Sequence, residues 1–181
     1  MKRKYLLSLT LAAGLLSAVA ARAECQIQLS EAQIDYEAVT RGELLSRPGN
    51  ALSASELRTG EAREFDIMVN CDRPAPLTLQ FIGPAKTGDS YRFGEQGRAT
   101  LVLHDVMIDD SHVDIVGAGK RESQMAFTAG NVLSFWKEDA PATGSTLRGR
   151  VTVTTWMPQD ATRVGERQTW KLDGSFHIGG G

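Results

Sequence analysis

Apolar and polar residues alternate with a period of two in many parts of this chain, and the longest such stretch runs from Gln168 to Ile178. This period puts every second side chain on one face, as in a β-strand that is buried on one side only. The apolar row of this stretch has a glycine in its middle and consists of Trp170, Leu172, Gly174, Phe176 and Ile178. Three glycines follow, which leaves open what pairs with the outer edge of this strand. An unpaired strand edge is a template for another chain.

Shorter alternating stretches occur through the rest of the chain, and turn-forming residues separate them. They predict strands at residues 25–29, 65–71, 77–81, 101–103, 113–115, 125–127, 132–135 and 147–157. Pro74 and Pro76 are expected to separate the second of these strands from the third. Residues 46–62 are predicted to form a long connection with one helical turn around Ala54–Leu57. About nine short strands with almost no helical period predict an all-β fold, an antiparallel β-sandwich.

The first 23 residues have the features of a cleaved secretory signal peptide. Lys2, Arg3 and Lys4 precede an apolar run, and Ala21-Arg22-Ala23 supplies the small residues of a cleavage site. An uncleaved membrane anchor is the alternative, but the run is short for a span. No later stretch approaches the roughly 18 apolar residues that a span requires. We therefore expect an exported protein without a membrane span, with residues 24–181 forming a single domain.

The charge of the chain argues against nucleic acid and anionic lipid as partners. The sequence has 20 Lys and Arg against 22 Asp and Glu, a net charge of −2. The leader holds four basic residues and no acidic one, so its removal leaves a net charge of −6 on the rest. Surfaces that bind polyanions are normally basic.

Cys25 and Cys71 are the two cysteines, and both lie beyond the leader. In an oxidising compartment the expected state is one disulfide between them. They are 46 positions apart, and closing a loop of that length stabilises a fold by roughly 4 kcal/mol in the chain-entropy model. A two-thiol metal or redox site is the alternative, but the chain has no Cys-x-x-Cys motif.

No motif predicts catalysis, a cofactor or a metal. His104, His112 and His177 lack a ligand spacing such as His-x-His. The four aspartates between Asp105 and Asp114 lack the glycine and distal glutamate of an EF-hand, so we expect a solvated acidic loop. There is no Gly-x-Ser-x-Gly frame, no phosphate-binding loop and no distinctive pair of acids. The sequence therefore predicts a protein that is not an enzyme.

Trp156 is the candidate residue for contact with a ligand. It falls on the face opposite Val151 and Val153, and is therefore expected to point outward. Exposed tryptophans contact carbohydrate or protein in many binding proteins.

Several of these features occur together in one known family. A leader is followed by a first strand carrying Cys25, a further strand Phe65–Cys71 ends in the second cysteine, and the alternating strand Trp170–Ile178 closes a β-rich chain. In this combination the chain resembles the pilin-type subunits of Gram-negative chaperone–usher fimbriae, in particular a poorly characterised group of fimbrial-like exported proteins.

The resemblance implies a fold and a mode of assembly. Such subunits adopt an immunoglobulin-like sandwich that lacks its final strand, and a periplasmic chaperone fills the resulting groove with a strand of its own. In the fibre, the N-terminal extension of the next subunit replaces the chaperone. The implied partners are a periplasmic chaperone, an outer-membrane usher and other fimbrial subunits, and the implied location is the periplasm in transit and then the fimbrium. The matching positions are Trp170, Leu172, Gly174, Phe176 and Ile178 for strand complementation and chaperone binding, and Cys25 and Cys71 for the disulfide.

The chain departs from this family at both ends. Family members usually carry a donor extension before their first cysteine, whereas only Glu24 stands between the leader and Cys25. A chain of this kind could accept a strand without donating one, which suits the distal tip of a fibre or a role outside it. The family often has an aromatic residue next to last, where this chain has glycine.

Two other functions stay open. A complete, self-contained secreted or periplasmic sandwich could bind a host glycan or protein through its loops or through Trp156. A secreted β-sandwich hydrolase is the third hypothesis, although no nucleophile, metal cluster or acid pair supports it.

Overall fold

The computed structural model describes residues 23–34, 39–51, 54–163 and 170–180. Within these ranges the chain forms one curled antiparallel sheet of 14 strands, one short α-helix and a 3-10 turn at Asp160–Thr162. The prediction of an all-β, antiparallel, sandwich-like fold is confirmed. Apart from Ala23, the predicted leader lies outside the described residues. The strands are β1 (Cys25–Leu29), β2 (Glu56–Arg58), β3 (Arg63–Ile82), β4 (Ala85–Thr87), β5 (Ser90–Phe93), β6 (Gly97–Ile108), β7 (Ser111–His112), β8 (Asp114–Gly117), β9 (Lys120–Glu122), β10 (Gln124–Ala126), β11 (Leu133–Lys137), β12 (Ala140–Pro141), β13 (Thr143–Pro158) and β14 (Ser175–Gly180).

The sheet curls into two layers that share strand β3. One layer contains β1, the first half of β3, β13 and β6. The other contains β14, the second half of β3, β11, β8 and β9. Short strands extend the layers: β2 pairs with β13, β12 with β11, and β5, β7 and β10 with β6, while β4 pairs with β5.

Strand β3 corrects the sequence prediction of two separate strands at 65–71 and 77–81. It is one continuous strand of 20 residues. Pro74 and Pro76 do not break it, because on one side β1 pairs as far as Cys71 and β14 only from Leu77 onward. On the other side Pro76 pairs with Thr143 of β13 beyond a register shift between Gly144 and Thr146, and such irregularities are places where a sheet tolerates proline.

The core lies between the two layers, and the predicted alternation decides which side chains enter it. Leu101 and Leu103 of β6 and Val151 of β13 are buried. A period of two would make Asp105 the next inward side chain after Leu103, but in β6 it is Val106. The backbone of Asp105 has a φ of 51° there, and the pairing of β6 with β13 shifts register between Arg148 and Arg150. Such a β-bulge re-aims the side chains that follow it.

The helical turn predicted around Ala54–Leu57 is wrong, because Glu56–Arg58 forms β2. The helix lies earlier, as α1 at Arg41–Ser46. It begins with a capping box, in which the backbone N–H of Glu43 donates to Oγ1 of Thr40 over 3.3 Å and the backbone N–H of Thr40 donates to Oε2 of Glu43 over 2.6 Å. These hydrogen bonds from Thr40 hold the pKa of Glu43 below its ordinary value.

Candidate functional site

Strands β1 and β14 pair with successive parts of β3 and approach each other in space. Cys25 to Leu29 pair with Cys71 to Ile67, and Ser175 to Gly180 pair with Ile82 to Leu77. Both strands are antiparallel to β3, so β14 ends and β1 begins on either side of residues 72–76. In the described part of the chain neither strand pairs with a second strand. We call β1 and β14 together the terminal edge.

Among the described residues, no strand pairs with the outer side of the terminal edge. In an antiparallel ladder each strand directs half of its N–H and C=O groups to one neighbour and half to the other. Within the described ranges, β1 and β14 direct one half of these groups to β3, and no strand pairs with the other half. An edge of this kind is open to pairing with another chain.

The disulfide predicted between Cys25 and Cys71 is confirmed and fixes β1 to β3. The two residues are directly opposite each other, with their Cα atoms 4.0 Å apart. The disulfide therefore joins neighbouring strands of the sheet.

The apolar side chains of the terminal edge are only partly covered. Ten partly buried apolar residues pack against the main core, and eight of them belong to β1, β14 or the segments next to these strands: Ala23, Cys25, Ile27, Leu29, Ile34, Leu172, Phe176 and Ile178. Apolar residues of β3, β6 and β13 in the same core are buried. Among the described residues, the core is therefore least well covered along the terminal edge.

Phe176 connects this edge to both layers of the sandwich. Its ring lies 5.0 Å from that of Phe81, which is directly opposite it on β3. It also lies 5.4 Å from the ring of Phe127 and 5.9 Å from that of Phe65, which belongs to the first half of β3. Edge-to-face and tilted contacts at these distances are favourable. Phe176 therefore packs into the open side of the core rather than merely covering it.

The sequence placed five residues on one terminal strand, and the structure places two of them there. Phe176 and Ile178 are on β14 with partly covered side chains. The strand begins at Ser175, so the prediction that Trp170, Leu172 and Gly174 belong to it is wrong. Part of the predicted strand, residues 168–169, lies outside the described residues.

The three residues before β14 have other contacts. Leu172 still packs against the main core. Trp170 packs instead on a second, smaller cluster built on helix α1, Leu57 and Met157, with its ring 5.9 Å from that of Phe93. Gly174 lies so close to the ring of Phe81 and the carbonyl oxygen of Ile82 that a Cβ would collide with both.

Trp156 is not the exposed residue that the sequence predicted. It does point away from the core, but it is half-buried. The guanidinium of Arg98 lies 4.0 Å from the centre of its ring, and the same guanidinium forms an ion pair of 2.8 Å with Glu56 on β2. This cation–π contact covers the ring that was expected to contact a ligand.

The acidic residues between Asp105 and Asp114 have structural partners. Asp109 accepts hydrogen bonds from the backbone N–H groups of Ser145 and Thr146, at 3.2 Å and 2.9 Å. Asp105 binds His104 and Arg150, and the hydrogen bond from His104 is the largest cause of its lowered pKa. Within the described ranges, no three His, Cys, Asp or Glu residues are grouped so that they could hold a metal ion.

Sequence reasoning missed half of the terminal edge. The alternation of Cys25, Ile27 and Leu29 is as clear as that of the C-terminal row, so strand β1 was predicted. Its pairing with the same strand as β14 was not predicted. The pairing of β1 and β14 with successive parts of β3 joins residues far apart in sequence, and local alternation carries no information about it.

No protein-family model matches the chain, and no curated protein shows significant similarity to it. In the described ranges no helix has the length and hydropathy needed to cross a membrane.

Proposed function

We propose that this chain is an exported fimbrial-type subunit that accepts a β-strand from another protein along its terminal edge. A periplasmic chaperone would supply the strand first, and another fimbrial subunit would supply it after delivery to an outer-membrane usher. The disulfide between Cys25 and Cys71 supports export, because such bonds persist in oxidising compartments.

The observation that carries the proposal is the partial cover of the core along β1 and β14. Eight of the ten partly buried apolar residues around the main core lie at this edge. Among the described residues, the same two strands also have no strand paired with their outer side. Incomplete burial and free hydrogen-bonding groups at one place are what strand addition requires.

An added strand would satisfy both needs. Its main chain would bond the outward groups of β14 and β1, and every second side chain would pack over residues such as Ile178 and Ile27. Each large apolar side chain buried in this way contributes about 1.5–3 kcal/mol.

The chain has the features of an acceptor. If the leader is removed after Ala23, one residue precedes Cys25, and Cys25 is bonded to Cys71. A segment of that length cannot reach the edge of a neighbouring molecule, which would place the chain at the distal tip of a fibre.

The proposal is tested by donor binding to variants of β14. Ile178→Lys puts a charge into the partly covered apolar row, whereas His177→Lys puts the same charge on the exposed face of the same strand. A synthetic peptide with alternating apolar residues should bind wild type and His177→Lys, and should bind Ile178→Lys at least tenfold more weakly, measured by calorimetry.

A peptide of the same composition with its alternation scrambled is the control for nonspecific binding. A stable wild-type monomer that binds neither peptide would contradict the proposal and would favour a complete sandwich with a loop-borne ligand site.

A further inference from the structure

Glu24 and Asp72 exchange two hydrogen bonds where β1 begins. The backbone N–H of Glu24 donates to Oδ1 of Asp72 over 2.8 Å, and the backbone N–H of Asp72 donates to the carbonyl oxygen of Glu24 over 3.0 Å. The disulfide between the adjacent Cys25 and Cys71 fixes the two segments together. The nitrogen of Glu24 is therefore held directly against a carboxylate.

We propose that Asp72 is the binding site for the α-ammonium group of the processed chain. A signal peptidase that hydrolyses the Ala23–Glu24 bond adds one water, leaving a carboxylate on Ala23 and a primary amine on Glu24. That amine takes up a proton at neutral pH. The proposal rests on cleavage after Ala23 and is independent of whether the terminal edge accepts a strand.

Cleavage strengthens the contact between the nitrogen of Glu24 and Asp72, which the fold already makes. An amide nitrogen offers Asp72 one neutral N–H, whereas an ammonium offers three N–H donors and a full positive charge. Hydrogen bonds between two charged groups are roughly twice as strong as those between neutral ones. The contact that is already present in the structure therefore becomes an ion pair when the leader is removed.

The charged groups around the nitrogen suit this role. On β3 these are Asp72 and Arg73, and on the segment leading into β1 the carboxylate of Glu24 itself. Arg73 pairs with Oδ2 of Asp72 over 3.0 Å, and its Nε donates to Oδ1 over 3.5 Å, so the nitrogen of Glu24 at 2.8 Å is the nearer of the two donors to Oδ1. The hydrogen bond from Arg73 and then the one from Glu24 hold the pKa of Asp72 below its ordinary value, so the carboxylate is ionised at neutral pH.

The ion pair defines a pH window. An ionised neighbour favours the charged form of an amine, so we expect the pKa of the α-ammonium to lie above the ordinary value of about 7.7–8.0. The stability that it contributes is then fully present below that ordinary value and is lost as the pH rises through the raised pKa. At the acid end it is lost as the pH falls through the lowered pKa of Asp72.

The ion pair also assigns a role to the N-terminus. A terminus held by Asp72 beside a disulfide is part of the sheet and is not a free arm. Asp72 thus holds the start of β1 more firmly once the leader has been removed.

The test is an NMR titration of the α-amino group in the exported chain, after mass spectrometry of its N-terminus. The pKa should be raised in wild type and should return to the ordinary range in Asp72→Asn, which keeps an acceptor of the same shape. Asp66→Asn is the matched control, since Asp66 is an exposed acid on the same strand whose carboxylate makes no hydrogen bond or ion pair with the described residues, and it should leave the pKa raised.

An exported chain that begins elsewhere than at Glu24 would overturn the proposal. So would equal α-amino pKa values in wild type and Asp72→Asn. If Asp72→Asn does not fold, the α-amino pKa of the wild-type chain still tests the proposal, because a value in the ordinary range would overturn it.

Discussion

At the scale of single residues, close contacts explain positions that alternation alone misreads. Gly174 lies in the predicted apolar row, but its place there is explained by a close backbone contact. It is the point where the backbone passes over the ring of Phe81 before β14 begins. Trp156 shows the same limit, since Arg98 on a neighbouring strand covers a ring that its own sequence context predicts to be exposed.

Gly174→Ala should destabilise the fold by about 1–3 kcal/mol, because the new methyl group would be forced against Phe81 and the main chain of Ile82. Chemical denaturation followed by fluorescence measures this. Gly88→Ala is the control, since a Cβ at Gly88 meets no atom within 4 Å and the residue needs no positive φ. Equal destabilisation of both variants would show that the contact at Gly174 is not the cause.

At the scale of secondary structure, the sequence predicted most of the strands and few of their ends. Alternating burial in β6 up to Leu103 and in β13 from Leu147 onward matches the predicted rows, because those parts of the strands are buried on one face. The ends depend on partners: β3 continues through Pro74 and Pro76, where the pairing with β13 is irregular, and β14 starts at Ser175, opposite the last residue of β3, Ile82. The capping box of Thr40 and Glu43 marks the true start of the helix, and its Thr-x-x-Glu spacing is a signal that the sequence prediction did not use.

The disulfide should act mainly on β1, which pairs with one strand only. Replacing Cys25 and Cys71 by alanine should lower the free energy of unfolding by roughly 4 kcal/mol, given the 46-residue separation. Denaturation midpoints with and without reductant measure the effect. Reductant should lower the wild-type midpoint to that of the double variant and leave the variant unchanged. A wild-type midpoint that does not respond to full reduction would contradict this expectation.

At the scale of the whole molecule, the two ends of the described chain meet on one strand. β1 and β14 are separated by more than a hundred residues in the sequence, and both pair with β3. The sequence predicted the two alternating rows and the disulfide, which are local or compositional features. It did not predict that the rows form one edge, because that follows from long-range pairing and from the continuity of β3 through its prolines. The terminal edge is the surface that we propose accepts a strand.

The most direct test of this claim is amide hydrogen exchange of the exported chain, alone and with a saturating donor peptide of alternating apolar residues. Alternate amides of β1 and β14 should exchange quickly in the free chain and become strongly protected with the peptide, while the outer edge at β9 stays unchanged. Protection at β9 or in the loops with no change at β1 and β14, or full protection of the terminal edge in the free chain, would contradict it.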